Sequence, residues 1–455
     1  MQVTFFGAAQ TVTGSMHLVD VAGTRLLLDC GLYQGHRAEF YAVNGNIPFP
    51  PKSIEAVVLS HAHLDHCGNL PTLVRSGFAG SIYCTPATRD LAALVLRDSA
   101  KVQHQDTAFV NKQRQRQGQP PVNLLYTADD AERAIKQFVA VPYGRTFSIG
   151  KTAVTFSDAG HILGSACIRL EAEGRALGFT GDLGRQGAPI LRAPEPILHV
   201  DALIMESTYG DRVHDPWEQG ERKLAALVSE TVARGGKVLI PAFAIGRTQD
   251  LAYALHRQRE ANQIPSVATF VDSPMAVDAT EIFRLHPECF NDEIRAHLDL
   301  RDPFGFKGLR YLRSVEDSKS LNAITDPFIV VATSGMCEGG RILYHLRNYV
   351  GDQRSALLTV GFQAENTLGR RLVEGVTPVS ILGELHDVHL RVFELSSFSA
   401  HADRVELLAW VQRVPKVGRI FLVHGEEAQA TALAGQLTAK GFGAEVATRG
   451  KQVTV

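Results

Sequence analysis

The segment VVLSHAHLDHCGNLP, from Val57 to Pro71, places His61, His63, Asp65 and His66 within six positions at the end of an apolar run. Left unpaired in a protein interior, such groups cost several kcal/mol. The cluster therefore calls for water or for a cation. Imidazole and carboxylate are ligands for Zn2+ and related divalent ions. His61 and His63, two apart in an extended turn, can face one ion. Asp65 and His66, at a helix start, can turn toward a second. Each ion needs further ligands, and His161 in DAGHILGS, Asp182 in GFTGDLG and His424 in FLVHGEE can supply them. A carboxylate with two oxygens, such as Asp182, is the natural bridge. Two ions about 3.5–4 Å apart hold a hydroxide, lower its pKa toward about 7 and clamp the oxygens of an anionic substrate. That chemistry suits phosphodiester hydrolysis.

Three more acidic or imidazole groups follow β-like runs: Asp29 in LLLDCG, Glu206 in LIMESTYGD and His401 in FSAHAD. Breaking a P–O bond requires a proton for the departing oxygen. His401 is suited to give it near pH 7, with a carboxylate beside it to orient the ring. Asp29 reads as an anchor for a ligand or for the nucleophilic water. Arg247 in AFAIGRTQ, the TSGM turn with Ser334 and Gly335, and Ser399 beside His401 are candidates for phosphate contact. Helix caps and turns are equally open readings for these four.

Such groups must be gathered by the elements that carry them. In α/β sheets the loops at one edge of the strands share a rim. The first ~60 residues read as short strands punctuated by Gly, and AVVLS runs straight into the His cluster. A helix opens at Thr85 and Pro86, and KQRQRQGQPPVN reads as a polar loop. Thr127 to Asp130 fits a capping box opening a helix through Ile135 and Phe138. Near residue 208 the pattern changes to helix–strand alternation, the rhythm of a mostly parallel sheet covered by helices. The last ~85 residues return to a mixed pattern. With 455 residues, two or three structural units are expected.

A formal net charge of −2 argues against broad attraction to nucleic acid, though a local basic groove remains compatible with it. The six cysteines form no CxxC pair and read as buried thiols in a reducing compartment. The N-terminus has neither a basic region nor a long apolar run, and no stretch approaches a membrane span. The expectation is a cytoplasmic protein without membrane association.

SHAHLDHCG, followed by His161 and Asp182 and preceded by Asp29, resembles the metal signature of the metallo-β-lactamase superfamily. MESTYG, FSAHAD and LVHGE resemble motifs A, B and C of its β-CASP branch, which processes nucleic acids. The likeness covers essentially the whole chain. It points to RNA-processing nucleases of bacteria and archaea similar to the endonuclease subunit of the cleavage and polyadenylation machinery. It implies an αββα sandwich formed by residues 1–208 and 370–455, with a β-CASP α/β domain inserted at 209–369. It implies His61, His63 and His161 on one metal, Asp65, His66 and His424 on the other, and Asp182 between them. Zn2+ is the expected ion and Mn2+ the alternative. Glu206 and His401 form the pair near the leaving oxygen, with Asp29 and Asp65 completing the catalytic group. A His at motif C, His424 here, goes with RNA rather than DNA. The implied activity is metal-dependent hydrolysis of RNA, endonucleolytic, 5′-exonucleolytic or both. Two other readings stand beside it: a thioester-type small-molecule hydrolase on the same centre, and an inactive scaffold for RNA or protein. A homodimer has no sequence pattern for or against it.

Overall fold

A computed structural model describes every residue except His36, Leu300, Phe362 and Glu365, and the side chains of Arg37 and Ala38 are also left out. The chain divides into two compact units. The first comprises 1–186, 193–213 and 401–455, and the second 187–192 and 214–400.

The first unit is built on two seven-stranded sheets. In one, the strands Gln2–Phe5, His17–Val21, Thr24–Leu28, Ala56–Val58, Ser81–Cys84 and Phe138–Ala140 lie side by side, and Gln452–Thr454 closes the edge against Gln2–Phe5. In the other, Val417–Val423 inserts parallel to Val200–Glu206. Both ends of the chain thus belong to one unit, and the Met1 ammonium donates to Val455 O at 3.3 Å. Strands alternate in burial, as Thr152–Asp158 shows at every second residue. Val3, Leu26, Leu28 and Val58 from one sheet meet Phe156, Ile168, Phe179 and Phe421 from the other in a shared core. The second sheet buries its opposite face under the helices Arg404–Arg413 and Glu427–Ala439, through Leu407, Val411, Leu433 and Leu437. In the first sheet, Leu27, Val57 and Ile82 point the other way and are also buried. The helices Leu70–Arg75, Pro86–Arg116 and Ala128–Ile135 pack on that side. The architecture is αββα.

The second unit holds a six-stranded sheet in which every pairing is parallel. Its strands are buried runs such as Phe328–Ala332, covered on both faces, as parallel sheets require. As a compact unit it continues to residue 400, because Arg391–Glu394 pairs with Ala356–Thr359 along the full register.

Two local expectations change. The helix begun by Pro86, capped by the Thr85 hydroxyl, runs to Arg116 and absorbs the KQRQR segment. The Asn111 side chain exchanges two hydrogen bonds with Val122 (2.8 and 3.0 Å), so the returning chain stabilises the last turns. The capping box at Thr127 and Asp130 is formed, but its helix stops at Ile135 and Phe138 starts a strand. All six cysteines are free and buried. No helix among the described residues is long and apolar enough to cross a membrane.

Candidate metal centre

Asp29, His61, His161, Asp182, Glu206 and His424 end or closely follow the strands Thr24–Leu28, Ala56–Val58, Thr152–Asp158, Arg175–Phe179, Val200–Glu206 and Val417–Val423. Within each sheet these strands run the same way, so their C-terminal ends share an edge. Asp29 and His424 leave their strands with φ of 58° and 49°, the left-handed region, which turns both side chains sharply out of the pleat. The His cluster is held by backbone. Leu32 N–H donates to Leu64 O, Cys30 N–H to His66 O and Ser15 N–H to Asp65 O, at 2.8, 2.8 and 2.7 Å. The close approach needs Gly31, where a Cβ would fall 1.6 Å from Asp65 O.

The seven expected ligands converge. His61 Nε2 and His161 Nε2 lie 3.1 and 3.2 Å from His63 Nδ1. On the other side, His424 Nε2 is 3.2 Å from His66 Nε2 and 3.3 Å from Asp65 Oδ2. Asp182 faces both groups. Its Oδ2 is 3.5 Å from His61 and 3.6 Å from His161, and its Oδ1 is 3.3 Å from His66 and 3.4 Å from His424.

These residues fit divalent ions on three counts. Zn–N bonds of about 2.0–2.1 Å at tetrahedral angles separate two ligand nitrogens by about 3.3 Å, close to the spacings found. Asp182 Oδ1 is buried with imidazole nitrogens of His66 and His424 at 3.3 and 3.4 Å, and a cation among them would satisfy oxygen and nitrogens together. Charge states also suit. Burial, helped by neighbouring imidazoles, keeps His61 and His161 well below the usual histidine range, and burial brings His63 down to about 4. Their lone pairs are therefore free at neutral pH. Burial works against charge on Asp182 and Asp65 too, but the surrounding imidazoles prevail and hold both below the ordinary aspartate value. His66 is the exception. Burial opposes its charge, yet Asp182 and Asp29 outweigh it and push the ring well above its ordinary value. A cation at His66 Nε2 would displace that proton.

Asp29 lies beneath the nest. Its Oδ2 accepts from His66 Nδ1 at 2.7 Å and from the Ser60 hydroxyl at 2.8 Å, and its Oδ1 accepts from Ser60 N–H at 2.7 Å. Ser15 adds a 3.2 Å hydroxyl contact to Oδ2. Thr208 Oγ1 sits 3.1 Å from His424 Nδ1, and the Ser165 hydroxyl accepts from His161 N–H at 2.9 Å. Sequence reading missed Ser15, Ser60, Thr208 and Ser165. Only their adjacency to named motifs could have flagged them.

His401 opens the returning segment of the first unit. Its Nδ1 is 3.2 Å from both oxygens of Glu206, and its ring centre lies 4.4 Å from that of His161, the planes tilted by 48°. Glu206 is fully buried and also accepts from Leu183 N–H at 2.5 Å. Burial opposes protonation of His401, but Glu206 prevails and raises it above the usual value. The side chains of His401 and Asp65 keep 20% and 22% exposure.

The four phosphate-contact candidates all lie in the second unit, at the C-terminal edge of its sheet. Arg247 is buried at a helix start and pairs with Asp250 at 2.9 Å. The Ser334 hydroxyl accepts from Glu338 and Gly339 N–H at 3.0 and 3.2 Å, closing its own turn. Gly335 packs against Phe243, where a Cβ would come within 2.9 Å of the ring. Ser399 is buried just after a short 3-10 turn. Arg247, Ser334 and Gly335 each have a local structural task.

Two facing sheets that present imidazoles and carboxylates in two groups around one shared Asp define a metallohydrolase of the metallo-β-lactamase type. Residues 10–216 match the metallo-beta-lactamase superfamily, 248–372 the Beta-Casp domain, and 385–448 the Zn-dependent metallo-hydrolase RNA specificity domain. The chain is 38% identical to Ribonuclease TTHA0252 of Thermus thermophilus, with both proteins covered completely. It is 34% identical to Transcription termination factor FttA of Methanocaldococcus jannaschii, over 94% of this chain and 67% of that protein. An RNase J-like protein of the same archaeon is 31% identical, with 94% of each covered. A solved protein of unknown function from Enterococcus faecalis shares the fold at 13% identity, with a TM-score of 0.58 over 100% of this chain and 99% of that one. The chain belongs to the β-CASP branch of the metallo-β-lactamase superfamily, among its RNA-processing nucleases.

Proposed function

We propose that the protein is a cytoplasmic, metal-dependent ribonuclease that hydrolyses RNA phosphodiester bonds. The observation that carries this reading is Asp182, whose two oxygens each face a different group of imidazoles, with the His401–Glu206 pair alongside. His61, His63 and His161 would hold one ion, Asp65, His66 and His424 another, with Asp182 common to both. Zn2+ suits the nitrogen-rich donor set best. Divalent ions bound there supply a nucleophile at neutral pH and positive charge for the phosphate oxygens. The chain's own residues do the rest. Asp29, locked by Ser60 and Ser15, holds His66 Nδ1 so that Nε2 points into the nest. Glu206 accepts from His401 Nδ1–H, which leaves the Nε2 proton for the leaving oxygen.

The test is cleavage of one RNA, labelled separately at each end, after reconstitution with Zn2+ or Mn2+. Shortened fragments that keep the 5′ label, with complementary ones that keep the 3′ label, mark endonuclease action, and release of the 5′ label only as a mononucleotide marks 5′-exonuclease action. Absence of any cleavage with either ion removes the proposal.

Two further results are expected. Asp29→Ala should weaken metal binding by about 10–100-fold, because His66 loses the partner that fixes its ring. Metal titration checks this, and unchanged affinity would remove Asp29 from the site. Metal affinity should also rise with pH. The raised proton affinity of His66 means its proton stays on above the ordinary histidine range and competes with the ion. Titrations at pH 6 and pH 8 should show tighter binding at pH 8, and a flat profile would contradict the ligand role of His66.

A further inference from the structure

The far half of the long helix Pro86–Arg116 has no part in the centre described above. Between Lys101 and Arg116 it carries four cations, Lys101, Lys112, Arg114 and Arg116, against one carboxylate, Asp106, in a chain whose formal net charge is −2. A merely solvated helix face usually alternates charge at i, i+4 spacing. Here no acid lies three or four residues before or after Lys112, Arg114 or Arg116 on the helix, and Lys112 and Arg116 repel one another one turn apart. Phe109 stands on the same side as Lys112 and Arg116, spaced i, i+3 and i+7, and is 61% exposed. Towards Lys101 the face opens onto a recess of about 540 Å³, where Arg97, Lys101 and His104 from the helix stand against one carboxylate, Asp129. The helix is well braced. Thr107 and Val110 are buried on its inner side, Asn111 grips Val122, and Arg114 Nε donates to Pro120 O at 2.6 Å.

We infer that this outer face is a docking surface for single-stranded RNA, with Phe109 as a stacking platform for a base and Lys101, Lys112 and Arg116 on the flanking phosphates. Cations beside an exposed aromatic ring are the elements of strand binding without sequence preference. Charge decides the occupant, because a face this cationic disfavours an identical copy of itself and favours a polyanion. Its position adds a length dependence. The helix begins beside the metal centre, where the Thr85 and Thr88 hydroxyls donate to Gly164 O at 2.6 and 2.8 Å. At 1.5 Å per residue, Phe109 lies roughly 30 Å further along the axis. The face therefore engages RNA several nucleotides away from the bond cut. The inference rests on the ribonuclease reading for its biological sense, but binding tests it apart from cleavage.

The experiment measures binding of fluorescein-labelled 6-mer and 24-mer single-stranded RNA to the full-length protein without added metal, across a salt series, and cleavage of both after metal loading. Phe109→Ala should weaken 24-mer binding about tenfold, as loss of one stacked base does, and Phe109→Trp should restore it. Lys112→Gln with Arg116→Gln should lower the slope of log affinity against log salt by about 1.4, two phosphate contacts' worth. Cleavage of the 6-mer should be unchanged in every variant. Wild-type affinity and salt slope in both sets of variants would overturn the inference, as would failure of the wild-type protein to bind the 24-mer. Loss of self-association in Phe109→Ala with unchanged RNA affinity, read by light scattering, would assign the face to a second copy instead. Wild-type protein that binds the 24-mer but cuts nothing would sink the ribonuclease reading while leaving this one standing.

Discussion

Asp182→Ala is expected to reduce bound metal from two equivalents to one or fewer and RNA cleavage by roughly 10³-fold or more, about 4 kcal/mol of transition-state stabilisation. Among the described residues Asp182 alone has imidazole nitrogens of both groups within 4 Å; Asp65 comes that close to His424 and His66, at 3.3 and 4.0 Å. Removing Asp182 leaves two sets of nitrogen ligands with nothing to hold them at a common distance, and it strips from His66 one of its three anionic neighbours. Asp182→Asn keeps the shape and separates packing from charge. It should fold like the parent, by circular dichroism, and still bind metal poorly, by elemental analysis. An alanine variant that retains two equivalents would rule out the bridging role and with it the two-ion mechanism.

His401→Ala should do the opposite to metal and something similar to rate. Its Nδ1 is spoken for by Glu206, so its loss should leave metal content intact. RNA cleavage should fall about 10²-fold or more, the usual contribution of a general acid. The pH profile gives the sharper reading. Glu206 raises the proton affinity of His401, so the acid form persists above the ordinary histidine range and is lost only as pH climbs past the raised value. The alkaline limb of kcat/KM should therefore lie above about 6.5. Glu206→Gln should move that limb to lower pH, because the anion that favours the imidazolium is gone. An alkaline limb that stays in place in Glu206→Gln would detach the pair from proton transfer.

The convergence of imidazoles and carboxylates was legible because these residue types are expensive where they stand. His and Asp immediately after apolar strands have few bland explanations when four of them fall in six positions. His161, Asp182, Glu206, His401 and His424 could be added because strand ends share a rim. The cradle of Asp29 was not legible. Ser15 and Ser60 reach it across 14 and 31 residues through hydroxyl groups that are common in any loop. The long helix was underestimated because KQRQR has no apolar periodicity of its own, and its last turns depend on Asn111 and Arg114 gripping a segment that returns later. The extension of the second compact unit to residue 400 was not legible for a similar reason. Arg391–Glu394 is a short strand whose parallel partner lies more than thirty residues earlier, and such pairing leaves no local signal.

The chain leaves the first unit at Val213 and re-enters it at His401, and Arg404 N–H donates to Arg212 O at 3.1 Å. Departure and return are therefore neighbours, which makes the intervening stretch a cassette. Its length adds little to the entropy of closing the gap, since that cost grows only with the logarithm of the loop. The arrangement also imposes an order in time. Val417–Val423 and His424 are translated after the whole cassette, so a ribosome-bound or prematurely ended chain that stops short of them lacks both a central strand and one imidazole of the nest. The nest of side chains is therefore completed only after the cassette has been made.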